Sequence, residues 1–438
     1  MSQRRTPRAA LRLALAGLLA GFALLVAAVA WHNWGDLLGA GDATTALAQD
    51  ADSLARGAYL VRAGNCIACH SARGGTPLAG GRGIETPFGT VYSSNLTPDV
   101  ATGLGAWSTR DFWHALHRGR APGGRLLSPA FPYEHTSLIT REDSDAMFAW
   151  LRSQAPVRQE TPAHTLRWPV GTQPALALWR TLFFAPQPWQ DNPQQSAEWN
   201  RGAYLVRGLG HCAACHSPRN ALGASAGVAD LSGARMPGVG WYAPNLHSER
   251  ESGLARTPLA DIVRLLQTGQ GAQASVSGPM GEVVQHSLQH LALRDLQAMA
   301  LYLQSQAGTV PEKASAPPAP ARAGTASLGR QVYERHCASC HGEQGEGVPG
   351  IYPALRGNRA VRLAEPANLV QTVLFGGYAP ATAAHPRPFG MPPFVLELGD
   401  KDIAAVLTHL RQGLQDEGQR AAEVTALQVN RIRAASGN

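Results

Sequence analysis

All six cysteines of this 438-residue chain fall into three copies of Cys-X-X-Cys-His. The copies are Cys66, Cys69 and His70; Cys212, Cys215 and His216; and Cys337, Cys340 and His341. Two thiols and an adjacent imidazole at this spacing are the attachment pattern of haem c. The thiols add across the porphyrin vinyl groups, and the histidine is placed under the iron. The pattern therefore implies three covalently bound haem c groups. A zinc site built from two of the pairs would strand the third. A thioredoxin-like redox pair does not require the histidine, and no βαβ pattern surrounds these sites. A disulfide across each pair would close a very short, strained loop.

The sixth ligand of each iron must come from elsewhere, and the six methionines make the search short. Met391 lies in Gly390-Met391-Pro392-Pro393, where the prolines stiffen a loop that can hold a soft sulfur at the iron. In the second motif's territory the candidates are Met236, only about twenty residues past His216, and Met280, just before a final helix as Met391 is. Position favours Met280. The first territory breaks the pattern, because Phe131 stands where methionine is expected. His135, four residues on in the same loop, is the expected substitute, since imidazole is a good iron ligand. The alternatives are an open five-coordinate iron, Met147, His114 or His117. A His/His iron would have a lower potential than its His/Met neighbours.

The elements that position these residues repeat along the chain. Arg56-Gly57-Ala58-Tyr59-Leu60-Val61-Arg62 recurs letter for letter as Arg201-Gly202-Ala203-Tyr204-Leu205-Val206-Arg207, with one extra residue before the second motif. Leu328-Gly329-Arg330-Gln331-Val332-Tyr333 is a weaker third copy. Each reads as a short helix entering a haem site, its glycine allowing a second helix to come close. Apolar spacing places the second helices at residues 144–154, 294–306 and 402–412. The fold class expected is mainly α, with three tandem class I cytochrome c domains at residues 50–155, 196–306 and 326–413. A Pro- and Trp-rich connector (156–195), suited to packing between domains or to docking on a membrane or partner, joins the first two. A Pro/Ala linker (307–325), expected to be extended, precedes the third, and a polar tail (414–438) closes the chain.

Net charge is +7, but Arg4, Arg5, Arg8 and Arg12 precede a purely apolar run from Leu13 to Ala30, and without them the remainder carries +3. No basic run interleaved with aromatics speaks for nucleic acid. Residues 1–31 have the layout of an export signal, and Ala28-Val29-Ala30 could be its cleavage site. The apolar run is also long enough to suggest a retained anchor in the inner membrane, which is the expectation here. The arginines would stay inside and the rest of the chain would face the periplasm.

The strings around the motifs resemble the three-haem cytochrome c subunits of membrane-bound periplasmic dehydrogenases over nearly all of residues 50–415. They are Arg-Gly-Ala-Tyr-Leu before two sites, Ile84-Glu85-Thr86-Pro87-Phe88-Gly89-Thr90, Ser94-Asn95-Leu96-Thr97-Pro98 and Gly208-Leu209-Gly210-His211-Cys212. Trp241-Tyr242-Ala243-Pro244-Asn245-Leu246 and Gly278-Pro279-Met280 with Val284-Gln285-His286-Ser287 complete the set. The resemblance implies an electron-transfer subunit, not a catalyst in itself. It would take electrons from a dehydrogenase of quinone, flavin or molybdenum type and pass them to ubiquinone or a terminal oxidase. The quinone and flavin groups usually carry Pro-Ala-Met-Pro-Tyr in the first domain. Pro129-Ala130-Phe131-Pro132-Tyr133 with His135 looks more like the subunits that accompany molybdenum hydroxylases acting on aldehydes or N-heterocycles. Two other classes remain: a haem enzyme using an open first iron, and a freely diffusing electron carrier.

Overall fold

The structure is a computed structural model that describes residues 7–38, 44, 46–236, 238–309 and 318–436. It is mainly helical. The helices of eight residues or more are α1 (Pro7–Trp34), α2 (Ala51–Ala63), α3 (Thr109–Arg118), α4 (Arg141–Arg152), α5 (Gln173–Phe183), α6 (Ala197–Tyr204) and α7 (Leu259–Thr268). They continue as α8 (Pro279–His286), α9 (Leu293–Gln306), α10 (Ala323–His336), α11 (Ala367–Phe375), α12 (Asp400–Thr408) and α13 (Ala426–Ser436). The strands form three two-stranded antiparallel ribbons: β1 (Gly83–Thr86) with β2 (Gly89–Tyr92), β3 (Ala234–Arg235) with β4 (Tyr242–Ala243), and β5 (Gly377–Tyr378) with β6 (Gly390–Met391).

Side-chain caps start several of these helices, satisfying backbone N–H groups that have no intrahelical partner. Asp50 caps α2 through Ser53, Thr140 caps α4 through Asp143, and Ser196 caps α6 through Trp199. Ser108 and Asp111 form a reciprocal capping box on α3. Three helix pairs then build three units of one plan: α2 on α4, α6 on α9, and α10 on α12. The second helices lie where the spacing places them. At each crossing the glycine is required, because a Cβ on Gly57, Gly202 or Gly329 would collide with the carbonyl of Ala146, Ala298 or Ala405. Met147 and Met299 each sit one residue past those alanines and are core residues, 2% exposed.

The extra residue of the second copy has a structural counterpart. Past Tyr204 the helix continues as a π-helical turn, Leu205–Leu209, which absorbs an insertion without losing the packing of its buried face. The connector carries α5. The segment leading into it bonds the first ribbon, with Thr165 N–H donating to Thr90 O (2.9 Å), and Trp179 reaches the second unit at Leu222 O (2.8 Å). Helix α10 begins at Ala323, inside the span expected to be linker. The extended linker expected over Pro311 and Pro317 lies outside the described residues, as do Arg4 and Arg5. The tail is no loose end. Helix α13 returns to α12, burying Val429 and Ile432, while Arg433 pairs with Asp400 (2.7 Å).

One apolar core runs through the first and second units, with Leu60, Phe148 and Leu151 packed in the same cluster as Leu205, Tyr302 and Leu303. The two units are also locked reciprocally. Arg56 pairs with Asp143 of its own unit (2.7 Å), and Asp143 accepts from the Tyr204 hydroxyl of the other (2.6 Å). Arg201 pairs with Asp295 (2.6 Å), and Asp295 accepts from the Tyr59 hydroxyl (2.7 Å). Each tyrosine oxygen in turn accepts a backbone N–H at the foot of the facing helix, from Thr140 and Ala292 (3.2 Å each). The letter-for-letter repeat is thus two halves of one symmetric joint.

Candidate haem-binding cavity

Each Cys-X-X-Cys-His segment is a single helical turn following α2, the π-turn and α10 respectively. Burial pushes the Cys66 and Cys212 thiols up to about 12 and the Cys337 thiol up to about 11, disfavouring the thiolate. Arg82 donates to the Ala68 carbonyl between the first two cysteines (2.5 Å), and Arg219 donates to the matching Ala214 carbonyl (2.9 Å).

The motif histidines share one geometry. Nδ1 of His70 meets Ser94 O at 2.7 Å, Nδ1 of His216 meets Pro244 O at 2.7 Å, and Nδ1 of His341 meets Pro353 O at 3.0 Å. A carbonyl oxygen can only accept, so the proton sits on Nδ1 and Nε2 keeps its lone pair. This is how an imidazole is oriented and made basic for a metal by a partner behind it. Burial lowers the pKa of all three rings and favours the neutral form.

Two of the acceptor carbonyls, those of Ser94 and Pro244, belong to the strings singled out in the sequence. After Ser94, Asn95 Oδ1 accepts from Thr97 N–H (2.9 Å). After Pro244, Asn245 Oδ1 accepts from His247 N–H (2.8 Å). A feature missed in the sequence completes the frame. Gly80, Gly233 and Gly347 donate their N–H groups to the carbonyls of His70, His216 and His341 at 2.7–2.8 Å. All three are left-handed, with φ of 77°, 82° and 67°. At Gly80 and Gly233 a Cβ would strike the backbone of the very loop that supplies the acceptor carbonyl. The signal was a glycine 6–17 residues beyond each histidine, a spacing too variable to read as a motif.

A single cavity of about 1850 Å³ connects the three sites; Cys69, His70, Cys215, Cys340 and His341 open onto it. Its volume, its apolar walls and the paired thiols fit porphyrins held covalently at their edges. Met391, on β6, lines this cavity. Met280 is in the first turn of α8, half-buried against the shared core, while its neighbours Gly278, Pro279 and Val283 face the cavity. Met236 also lines it.

In the first unit, Phe131 and Met147 line the wall. His135 lies in the short turn Tyr133–Thr136, 2% exposed, at the seam with the second unit. Its Nδ1–H donates to Arg207 O (2.7 Å), and its ring meets that of His211 edge-on at 6.4 Å. Burial lowers its pKa to about 3, so the ring is neutral, with Nε2 left as the second ring nitrogen. The second unit reciprocates this seam contact through Ser287, whose hydroxyl donates to Ala63 O (3.1 Å). His114 and His117 are buried on α3 instead, His117 stacked on Trp113.

The cytochrome c family profile matches residues 326–413, the third unit. A nicotinate dehydrogenase subunit of Pseudomonas putida is 42% identical over 366 residues, 82% of this chain; the chain spans only 30% of that relative's length. The cytochrome c subunit of the quinone alcohol dehydrogenase of Gluconobacter oxydans is 36% identical over 88% of this chain and 84% of its own. The gluconate 2-dehydrogenase cytochrome c subunit of Pantoea cypripedii is 37% identical over 86% and 89%. The chain is an electron-transfer subunit rather than a catalyst, and it belongs to the family of cytochrome c subunits of dehydrogenases.

Proposed function

We propose that all three units are cytochrome c domains carrying covalent haem c, and that the chain relays electrons from a periplasmic dehydrogenase to ubiquinone or a terminal oxidase at the inner membrane. The observation that carries this reading is the threefold repetition of one geometry, a thiol pair beside an imidazole tied through Nδ1 to a carbonyl, around one continuous cavity. Bound there, haem supplies reversible one-electron exchange at iron. His70, His216 and His341 are the proximal ligands in this reading. Met280, Met391 and His135 are the distal ones. The protein's own contribution is to fix ring orientation, exclude water and set potentials by ligand and burial.

The partner proposed is a molybdenum hydroxylase oxidising an aldehyde or an N-heterocycle. Phe131 in place of the usual methionine supports it, as does the similarity to a protein named for nicotinate, an N-heterocycle. A quinoprotein alcohol or flavin gluconate partner is the second reading, favoured by relatives that align over nearly their whole length. Purification from membranes decides between them. Three haems per chain, with molybdenum in the co-eluting subunit, is the expected outcome; a flavin or quinone cofactor there selects the second reading, and fewer than three haems removes the relay.

A further inference from the structure

Helix α5 is built inside out for a helix facing water. Its only charged residue, Arg180, points inward and is 3% exposed. Arg180 donates through Nε to Asn33 Oδ1 (2.8 Å) and through Nη2 to Arg118 O (2.7 Å), and its guanidinium lies over the Tyr133 and Phe184 rings. Leu176 and Ala177 share that buried side. The opposite side carries Leu178 and Leu182, flanked by half-buried Trp179 and Phe183. Leu178 is 45% exposed, Leu182 61%, and Trp168 in the lead-in to the helix 86%. An ordinary surface helix puts its charges outward and its leucines inward.

The position of α5 says what covers this face. The apolar stretch of α1, from Leu13 to Ala30, rises about 27 Å at 1.5 Å per residue, close to the hydrocarbon thickness of a bilayer. Just past that stretch, α1 is bonded to α5. Asn33 Nδ2 donates to Ala177 O (3.0 Å) and to Thr181 Oγ1 (3.1 Å), and His32 Nε2 donates to Phe184 O (2.9 Å). Trp31, 69% exposed, marks the same level with an amphipathic ring. A helix hydrogen-bonded to residues 32 and 33 of a spanning helix lies at the headgroup level beside it. An apolar outer face is stable there and costly in water.

We propose that α5 is a second membrane contact: an interfacial helix whose Leu178–Leu182 face, with Trp168, is seated in the lipid next to the anchor. This rests on reading α1 as a retained anchor, and it adds a consequence. Leu178, Trp179, Leu182 and Phe183 also form part of the wall of the haem cavity. Seating α5 in lipid therefore opens that wall toward the bilayer, where an apolar electron acceptor dissolves.

The test uses the full-length, haem-loaded chain in lipid nanodiscs. Haem attachment occupies the native cysteines, so single spin labels can be placed through Leu178→Cys, Leu182→Cys, Phe22→Cys and Leu396→Cys. Relaxation by lipid-soluble oxygen and by a water-soluble nickel chelate is compared at each. The expected result is an oxygen-to-nickel ratio at positions 178 and 182 several-fold above that at Leu396, a fully exposed site on the third unit. A ratio equal to that of Leu396 overturns the proposal. So does a label hidden from both reagents, which assigns the face to a protein partner. Position 22 reports the anchor separately: a water-like or missing label there refutes the anchor, while positions 178 and 182 still decide whether α5 meets lipid.

Discussion

Phe131 stands where the other two units offer Met280 and Met391, and phenylalanine cannot ligate iron. The residue near enough in sequence to replace it, His135, has its Nδ1–H engaged by a backbone carbonyl, as the three motif histidines have. The same bond also makes it a seam residue, matched by Ser287 from the other side. The two roles predict different spectra. If His135 is the sixth ligand, His135→Ala converts one haem to a high-spin, carbon monoxide-binding form. Adding Phe131→Met to that variant restores a low-spin haem at higher potential, since methionine ligation raises potential. An unchanged spectrum in His135→Ala leaves the seam role alone. Met280→Ala and Met391→Ala should each lower one potential and produce one high-spin haem, while Met236→Ala leaves all three low-spin; a high-spin haem in the last variant would transfer the second ligand to Met236. The motif histidines and their cysteines stand out in the sequence because their spacing is local. The carbonyls behind the histidines do not, because the partner lies 24, 28 or 12 residues away and is fixed only by the folded loop.

Among the elements, the crossing helices were legible and the joint between units was not. Gly57 and Gly202 announce a close approach, and the apolar spacing of the later segments supplies the partner helix. Nothing in the spacing says that Tyr59 leaves its own unit to reach Asp295, or that Tyr204 reaches Asp143, because each contact is made only when two units dock. The one extra residue before Cys212 was visible, but only the folded chain reveals the π-turn that absorbs it. Tyr59→Phe and Tyr204→Phe each remove a hydrogen bond to a carboxylate and should destabilise the paired units by about 1–3 kcal/mol, read as a lower denaturation midpoint. Burial alone would raise the Asp295 pKa, but Arg201 and Tyr59 hold it below the ordinary 3.8. A depressed folded pKa means that this contribution is complete above the unfolded value and is lost as pH falls through the folded one. The acid limb of stability should therefore flatten in Asp295→Asn, whose midpoint falls less than wild type's between pH 5 and pH 3; an equal fall in both proteins would deny Asp295 this role.

At the scale of the whole molecule, the three similar units are not equally independent. The first two share one apolar core and the reciprocal Arg–Asp–Tyr joint. The third has its own core, into which the tail helix α13 is folded, and of the second unit it is Tyr242 that packs against it. Buried Pro380 also packs beside Gly269 of the second unit, and polar contacts join the two units besides, among them the following. Arg359 N–H donates to Gln273 O (2.8 Å), Tyr242 and Asn368 exchange two bonds (2.8 Å each), and Arg235 pairs with Glu365 (2.8 Å). Such bonds contribute about 0.5–1.5 kcal/mol each, and an exposed ion pair about 0–1. An apolar core, by contrast, must be lost all at once. Calorimetry on the haem-loaded chain should then resolve two transitions, one for the joined pair and one for the third unit with its tail. Raising salt should weaken the Arg235–Glu365 contact and separate them further. Val429→Asp, which places a charge in the third unit's core through the tail, should lower only the transition of that unit. A single transition that Val429→Asp shifts as a whole would mean that Tyr242 and the haems couple all three units into one folding unit.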